Sequence, residues 1–104
     1  RQVMAIFEVV LTPLGDFGYD MIARTIAVYP EVDTMYLLSG KSEFMCMVYG
    51  KSMYDVASFV ADKIACIESV KSTVTLFVLK QYKESGIILE DERKDAGERL
   101  VVTP

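Results

Sequence analysis

The chain has no histidine and no tryptophan, only two cysteines and three prolines among 104 residues, and no long apolar run. Losing histidine removes the commonest general base and the commonest zinc ligand, which leaves carboxylates, lysines, tyrosines and two thiols for chemistry. Catalytic triads and zinc centres are therefore not expected, and no catalytic residue, metal ligand or cofactor is assigned. Cys46 and Cys66 each lie in an apolar stretch without a C-x-x-C spacing. That pattern predicts two buried free thiols in a reducing cytoplasm rather than a disulfide or a metal site. No segment approaches the roughly 20 apolar residues that cross a bilayer, and the amino terminus lacks the charged, apolar and small-residue succession of a signal peptide. A cytoplasmic protein with no membrane partner is expected. The first residue is Arg1 rather than methionine, which points to a fragment or a processed chain.

What the chain does have is apolar content: 52% of residues are hydrophobic and 25% charged, with 15 acidic against 11 basic side chains and a net charge of -4. This fits one compact domain. A chain of this length buries only about two thirds of the surface its unfolded form exposes, so so much apolar surface points to self-association. The acidic balance argues against a broad phosphate-binding face, because nucleic-acid affinity comes largely from clustered Lys and Arg releasing counterions.

Val3–Leu11 is rich in Val, Ile and Phe and ends at Thr12-Pro13, which predicts a buried strand. Ile22, Ala23, Ile26 and Ala27 share one helical face, with Asp16 as a candidate cap and Pro30 as a stop. Val32–Leu38 and Phe44–Tyr49 read as strands joined by a short Ser39–Glu43 connection, hence an antiparallel hairpin. Ser52 and Asp55 resemble a helix start, and Val56, Phe59, Val60, Ile64 and Ile67 continue an amphipathic helix. Val70–Leu79 is β-branched and aromatic enough for a fourth strand. Tyr19-Asp20 and Tyr54-Asp55, one in each helix, give a faint internal echo. The order βαββαβ predicts an α+β, ferredoxin-like fold: a four-stranded antiparallel sheet with both helices on one face.

An antiparallel sheet with one wet face alternates apolar and polar residues. These strands do not: both parities of Phe44–Tyr49 are apolar, and only Glu8 interrupts Val3–Leu11. The helix-free face is therefore expected to be covered, most simply by the same sheet of a second chain about 10 Å away. Residues 1–80 are assigned to the domain. Residues 81–104 are assigned to a C-terminal arm, in which Gly86–Leu89 and Leu100–Val102 flank a charged run. The arm is expected to form a hairpin or add a strand to a neighbouring subunit.

Ser39-Gly40-Lys41-Ser42-Glu43 joins a glycine, two hydroxyls, a cation and an anion at the tip of apolar strands. Exposed amides around Gly40, with Lys41 and Ser42, suit a carboxylate, and Glu43 suits an ammonium group. The pair of charges fits a free amino acid. The plain alternative is a solvated turn, and the loop is too short for a G-x-x-x-x-G-K phosphate cradle. Gly15 and Gly18 read as shaping the entry to the first helix, and Met35, Met45 and Met47 as core filling. The acidic run Glu90, Asp91, Glu92 and Asp95, interleaved with Arg93 and Lys94, lacks the spacing of a calcium loop.

Three segments in register carry a family likeness: Tyr29-Pro30-Glu31-Val32; Tyr36 through Phe44; and Ser72-Thr73-Val74-Thr75-Leu76-Phe77-Val78-Leu79. Their order resembles the P-E-V, strand, S/T-G-x-x-D-aromatic, helix and T-x-T-x-x-V-L succession of the effector-binding (RAM) domain of Lrp/AsnC transcriptional regulators. The resemblance covers almost the whole chain. It implies a homodimer packed through its sheets, with a dimeric α/β barrel-like arrangement, and assembly to a tetramer or octamer. It implies an amino-acid or related small-molecule effector bound where dimers meet. DNA would be bound only through a helix-turn-helix domain, which is expected to be missing from these residues. Carried over by position, the effector site comprises Ser39, Gly40, Lys41, Ser42 and Glu43, with apolar contacts from Leu76, Phe77 and Val78. Glu43 stands where the family usually has aspartate. The function expected is therefore amino-acid sensing and oligomerisation in a transcription regulator, not catalysis. A stand-alone amino-acid-binding regulator and a small dimeric cofactor-free enzyme are the alternatives.

Overall fold

The computed structural model describes residues 2–15 and 18–89. The chain runs β1 (Val3–Leu11), α1 (Gly18–Ala27), β2 (Val32–Leu37), β3 (Phe44–Gly50), α2 (Met53–Phe59), β4 (Val70–Phe77), β5 (Lys83–Glu84) and β6 (Ile87–Ile88). The first four strands form one antiparallel sheet in the order β2-β3-β1-β4. This is the α+β, βαββαβ arrangement read from the sequence, with its elements where hydrophobic periodicity put them. The Asp16 cap lies outside the described residues, as do Glu90–Arg99 and Leu100–Val102 of the arm.

One parity of each central strand is sealed from water. Ala5, Phe7, Val9 and Leu11 of β1 and Phe44, Cys46 and Val48 of β3 are buried, and meet Ile26 of α1 and Val56 and Phe59 of α2. Phe59 packs edge-on to both Phe7 and Tyr29, with ring centroids 6.4 and 5.4 Å apart, an arrangement that adds about 0.5–1.5 kcal/mol per pair beyond area burial. Burial raises the Cys46 thiol from 9.0 to about 12, because an apolar surround disfavours the thiolate. Cys66 departs from expectation: it is exposed, its Sγ 2.9 Å from the Asp62 carbonyl.

The start of α2 follows the sequence closely, since the Asp55 amide donates to Ser52 Oγ at 3.0 Å. Its continuation does not. From Val60 to Ile64 the helix widens to a π-turn, in which the Ala65 amide donates to the Val60 carbonyl at 2.7 Å. Val60 and Ile64 are nonetheless both buried, as their i, i+4 spacing on the core face required. Close approach explains Gly50, where a Cβ would fall 2.7 Å from Val56 Cγ2.

The opposite parity forms the second face. Met4, Ile6 and Val10 of β1 and Met45, Met47 and Tyr49 of β3 are half-buried there, and Tyr36, Val74 and Leu76 are 52%, 51% and 51% exposed. No described helix covers it. After β4 the chain turns into a β5–β6 hairpin that pairs Lys83–Glu84 with Ile87–Ile88, a different pairing from the expected one of Gly86–Leu89 with Leu100–Val102, whose second strand lies outside the described residues. Its corner has Ser85 at φ 49° and Gly86 at φ 84°, the paired left-handed backbone that tight hairpins require. Leu79, Tyr82, Ile87 and Ile88 remain exposed along it.

Candidate functional site

The β2–β3 connection is anchored to β1. Its ends are held by the Leu38 amide donating to the Glu43 carbonyl at 2.8 Å and the Glu43 amide donating to the Val9 carbonyl at 2.9 Å. β1 runs two residues past its last pair with β3, Val9 with Phe44. The next amide on that side, Leu11, would therefore have no strand partner. Glu43 supplies one: the Leu11 amide donates to Glu43 Oε1 at 2.7 Å. The carboxylate extends the ladder by one rung beyond the strand, and β1 shifts register against β4 at the same point, between Val10 and Leu11.

The loop overhangs the uncovered face of the sheet. Leu38 through Ser42, together with Glu8 and Val10 of β1 and Ser72 and Val74 of β4, enclose an open groove of about 540 Å³. Glu8 faces Val74 in register, and its Oε1 accepts from Ser42 Oγ at 3.0 Å. The groove thus offers an acceptor-only carboxylate, three hydroxyls, the Lys41 ammonium and an apolar floor. Such a set can orient a small zwitterion.

Ser39, Gly40, Lys41 and Ser42 all line the groove. Glu43 is adjacent, but one of its oxygens is committed to Leu11. Leu76 lies on the same face one step further along β4, beside Ile6. Phe77 belongs to the opposite face, packed against the core. Val78 lies at the far end of β4, its amide donating to the Met4 carbonyl at 2.9 Å. Within one protomer these three do not join the loop. The residues of β4 that do are Ser72 and Val74, which strand register decides. Glu8 was also missed as a site residue, although it is the only charged side chain in Val3–Leu11. That isolated charge on an apolar strand was the available signal.

Among the described residues no cluster of His, Cys, Asp or Glu is arranged to hold a metal, and no helix is long and apolar enough to cross a membrane. Residues 4–88 match the Lrp/AsnC ligand binding domain. YugG of Bacillus subtilis, an uncharacterized HTH-type transcriptional regulator, is 41% identical over 102 residues, covering 98% of this chain and 60% of YugG. The chain therefore spans about 60% of that relative's length. The fold superposes on AsnC of Escherichia coli with a TM-score of 0.72 at 22% identity, covering 82% of this chain and 56% of AsnC. It also superposes on the transcriptional regulator NMB0573 of Neisseria meningitidis, solved with L-Met, with a TM-score of 0.71 at 23% identity, covering 84% and 56%.

Proposed function

The chain belongs to the Lrp/AsnC ligand-binding domain family, and we propose that it senses a free amino acid or related small metabolite and couples that binding to self-assembly. The supporting observation is the groove of about 540 Å³ under the Ser39–Glu43 loop, where opposite charges flank an apolar floor. Amides around Gly40, with Lys41 and Ser42, receive the effector carboxylate. Glu8 receives the ammonium, with Glu43 holding the loop in place beside it. Leu76 extends the apolar floor, and Phe77 and Val78 enter only through contacts made on assembly.

The uncovered sheet face pairs with the same face of a second copy, and dimers associate further into a tetramer or octamer. Residues 1–80 form the sensing body and 81–104 an arm that contacts a neighbouring subunit or sheet edge. An effector that binds one assembly state more tightly favours it by its affinity difference, and by reciprocity assembly changes effector affinity equally. DNA contact belongs to the part of such a regulator that these residues do not span, and the protein works in the cytoplasm. Amino-acid sensing is tested by a thermal-shift screen of the twenty amino acids. A saturable rise in Tm is expected for one or a few of them, and it is lost in Glu8→Gln. No rise with any amino acid, or a rise that Glu8→Gln leaves unchanged, removes the assignment.

A further inference from the structure

The β5–β6 hairpin follows β4, which is one edge of the sheet order β2-β3-β1-β4. Two strands by themselves are marginal in water and need an apolar face packed against something. Glu84 pairs with Ile87, and the Leu89 amide continues the ladder by donating to the Tyr82 carbonyl at 2.9 Å. Opposed residues share a face, so Tyr82, Glu84, Ile87 and Leu89 stand on one side of the hairpin. Ile87 is 66% exposed, so a single copy leaves that side uncovered.

The opposite edge of the sheet offers a matching surface. A groove of about 280 Å³ runs between α1 and β2, walled by Ala23 and Ala27 on the helix and by Met35 and Leu37 on the strand, with Arg24 among its lining residues. These walls are open to solvent: Ala27 and Leu37 are exposed, and Ala23 and Met35 half-buried. Among the described residues β2 pairs only with β3. Edge strands are ordinarily blunted by lysine, proline or an inward charge, and Thr34 to Leu37 contains none of these. Three strand spacings, about 14 Å, separate this edge from β4. Packing the uncovered faces of two copies about a two-fold axis parallel to the strands reverses the order of the second sheet. Each copy's β4 then lies over the other's β2, and its hairpin emerges beside the groove of the partner.

We infer that two copies exchange their hairpins, β6 of each adding to the open edge of the other's β2. Ile87 and Leu89 cover the groove, and Glu84 meets Arg24. The inference rests on the proposed pairing of the sheet faces and not on effector binding. Main-chain hydrogen bonds give the added strand its affinity, and the alternate side chains give it specificity.

The test is sedimentation equilibrium of the full chain, with circular dichroism to verify the fold. Arg24, Ala27, Glu84 and Ile87 are all exposed, so substitutions there spare the core. Ala27→Glu and Ile87→Glu should each raise the dimer Kd about tenfold or more. Arg24→Glu and Glu84→Arg should each raise it about threefold to tenfold, and the two combined should return it to within about twofold of wild type. Mixing Ala27→Glu with Ile87→Glu, one of them fluorescently labelled, should favour the mixed dimer, since it keeps one intact contact and either parent keeps none. Unchanged Kd values in Ala27→Glu and Ile87→Glu, no preference for the mixed dimer, or no recovery on charge exchange would overturn the inference. Leu76→Lys probes the sheet face separately. A dimer lost in Leu76→Lys but untouched by the hairpin and groove variants keeps the face pairing and discards the exchange. A dimer that Leu76→Lys leaves intact removes the pairing on which the exchange rests.

Discussion

Replacing Glu43 separates its structural work from any contact with an effector. Its Oε1 accepts the Leu11 amide at 2.7 Å at a half-buried position. A hydrogen bond to a charged group contributes about 1.5–3 kcal/mol net. Partial exposure and screening reduce this, so Glu43→Ala is expected to cost about 1–2 kcal/mol. For a domain near 100 residues that corresponds to a Tm drop of about 5–15 °C. Glu43→Gln retains a neutral acceptor of the same length and should lose about half as much. Glu43→Asp is the informative variant, since the shorter side chain falls short of Leu11 and should lose stability like alanine while keeping the charge. Urea unfolding followed by circular dichroism, at one fixed protein concentration because assembly couples to stability, gives the three values. If alanine and wild type agree within about 0.5 kcal/mol, the range of ordinary surface substitutions, Glu43 does not extend the β1 ladder and the account of the loop is wrong. If aspartate matches wild type, reach is not what matters.

Phe7 is fully buried and packs edge-on to Phe59, so Phe7→Ala should cost about 3–5 kcal/mol in the same urea experiment; a loss under about 1 kcal/mol would place the core elsewhere. Leu76→Lys and Met45→Lys put charges on the uncovered face, and sedimentation should show dimers dissociating to monomer with circular dichroism unchanged; unaltered sedimentation would remove that face as the interface. The folded state holds the Cys46 proton up to about pH 12 whereas the unfolded chain releases it near 9.0, so above pH 9 the unfolded state binds fewer protons and stability falls as pH rises. Cys46→Ala should flatten that alkaline slope by up to about 1.4 kcal/mol per pH unit; identical slopes would show that the thiol is not the responsible group.

Much of the frame was readable because it depends on local pattern. β1 occupies Val3–Leu11 as its content of Val, Ile and Phe required, and Ser52 caps α2 as its type and position required. Other features depend on partners distant in sequence. Cys66 is as apolar in its neighbours as Cys46, yet it falls past the π-turn on the outside. Which residues of β4 meet the loop follows from pairing Val10 with Ser72 and Glu8 with Val74, and a shift of one residue would send every side chain to the other face.

The sequence by itself determined the kinds of elements, their order, the α+β class and the excess of apolar surface, since periodicity and composition act within a few residues or over the whole chain. Tertiary structure alone decided which carboxylate does what. Glu43, the acid in the loop, turns inward because β1 outruns β3 and leaves the Leu11 amide to be satisfied. Glu8, 34 residues from Ser42 in sequence, becomes the acid of the groove because antiparallel pairing brings its strand beneath the loop. Hydrogen-bond satisfaction and strand register are properties of the assembled sheet, and no stretch of sequence read alone contains them.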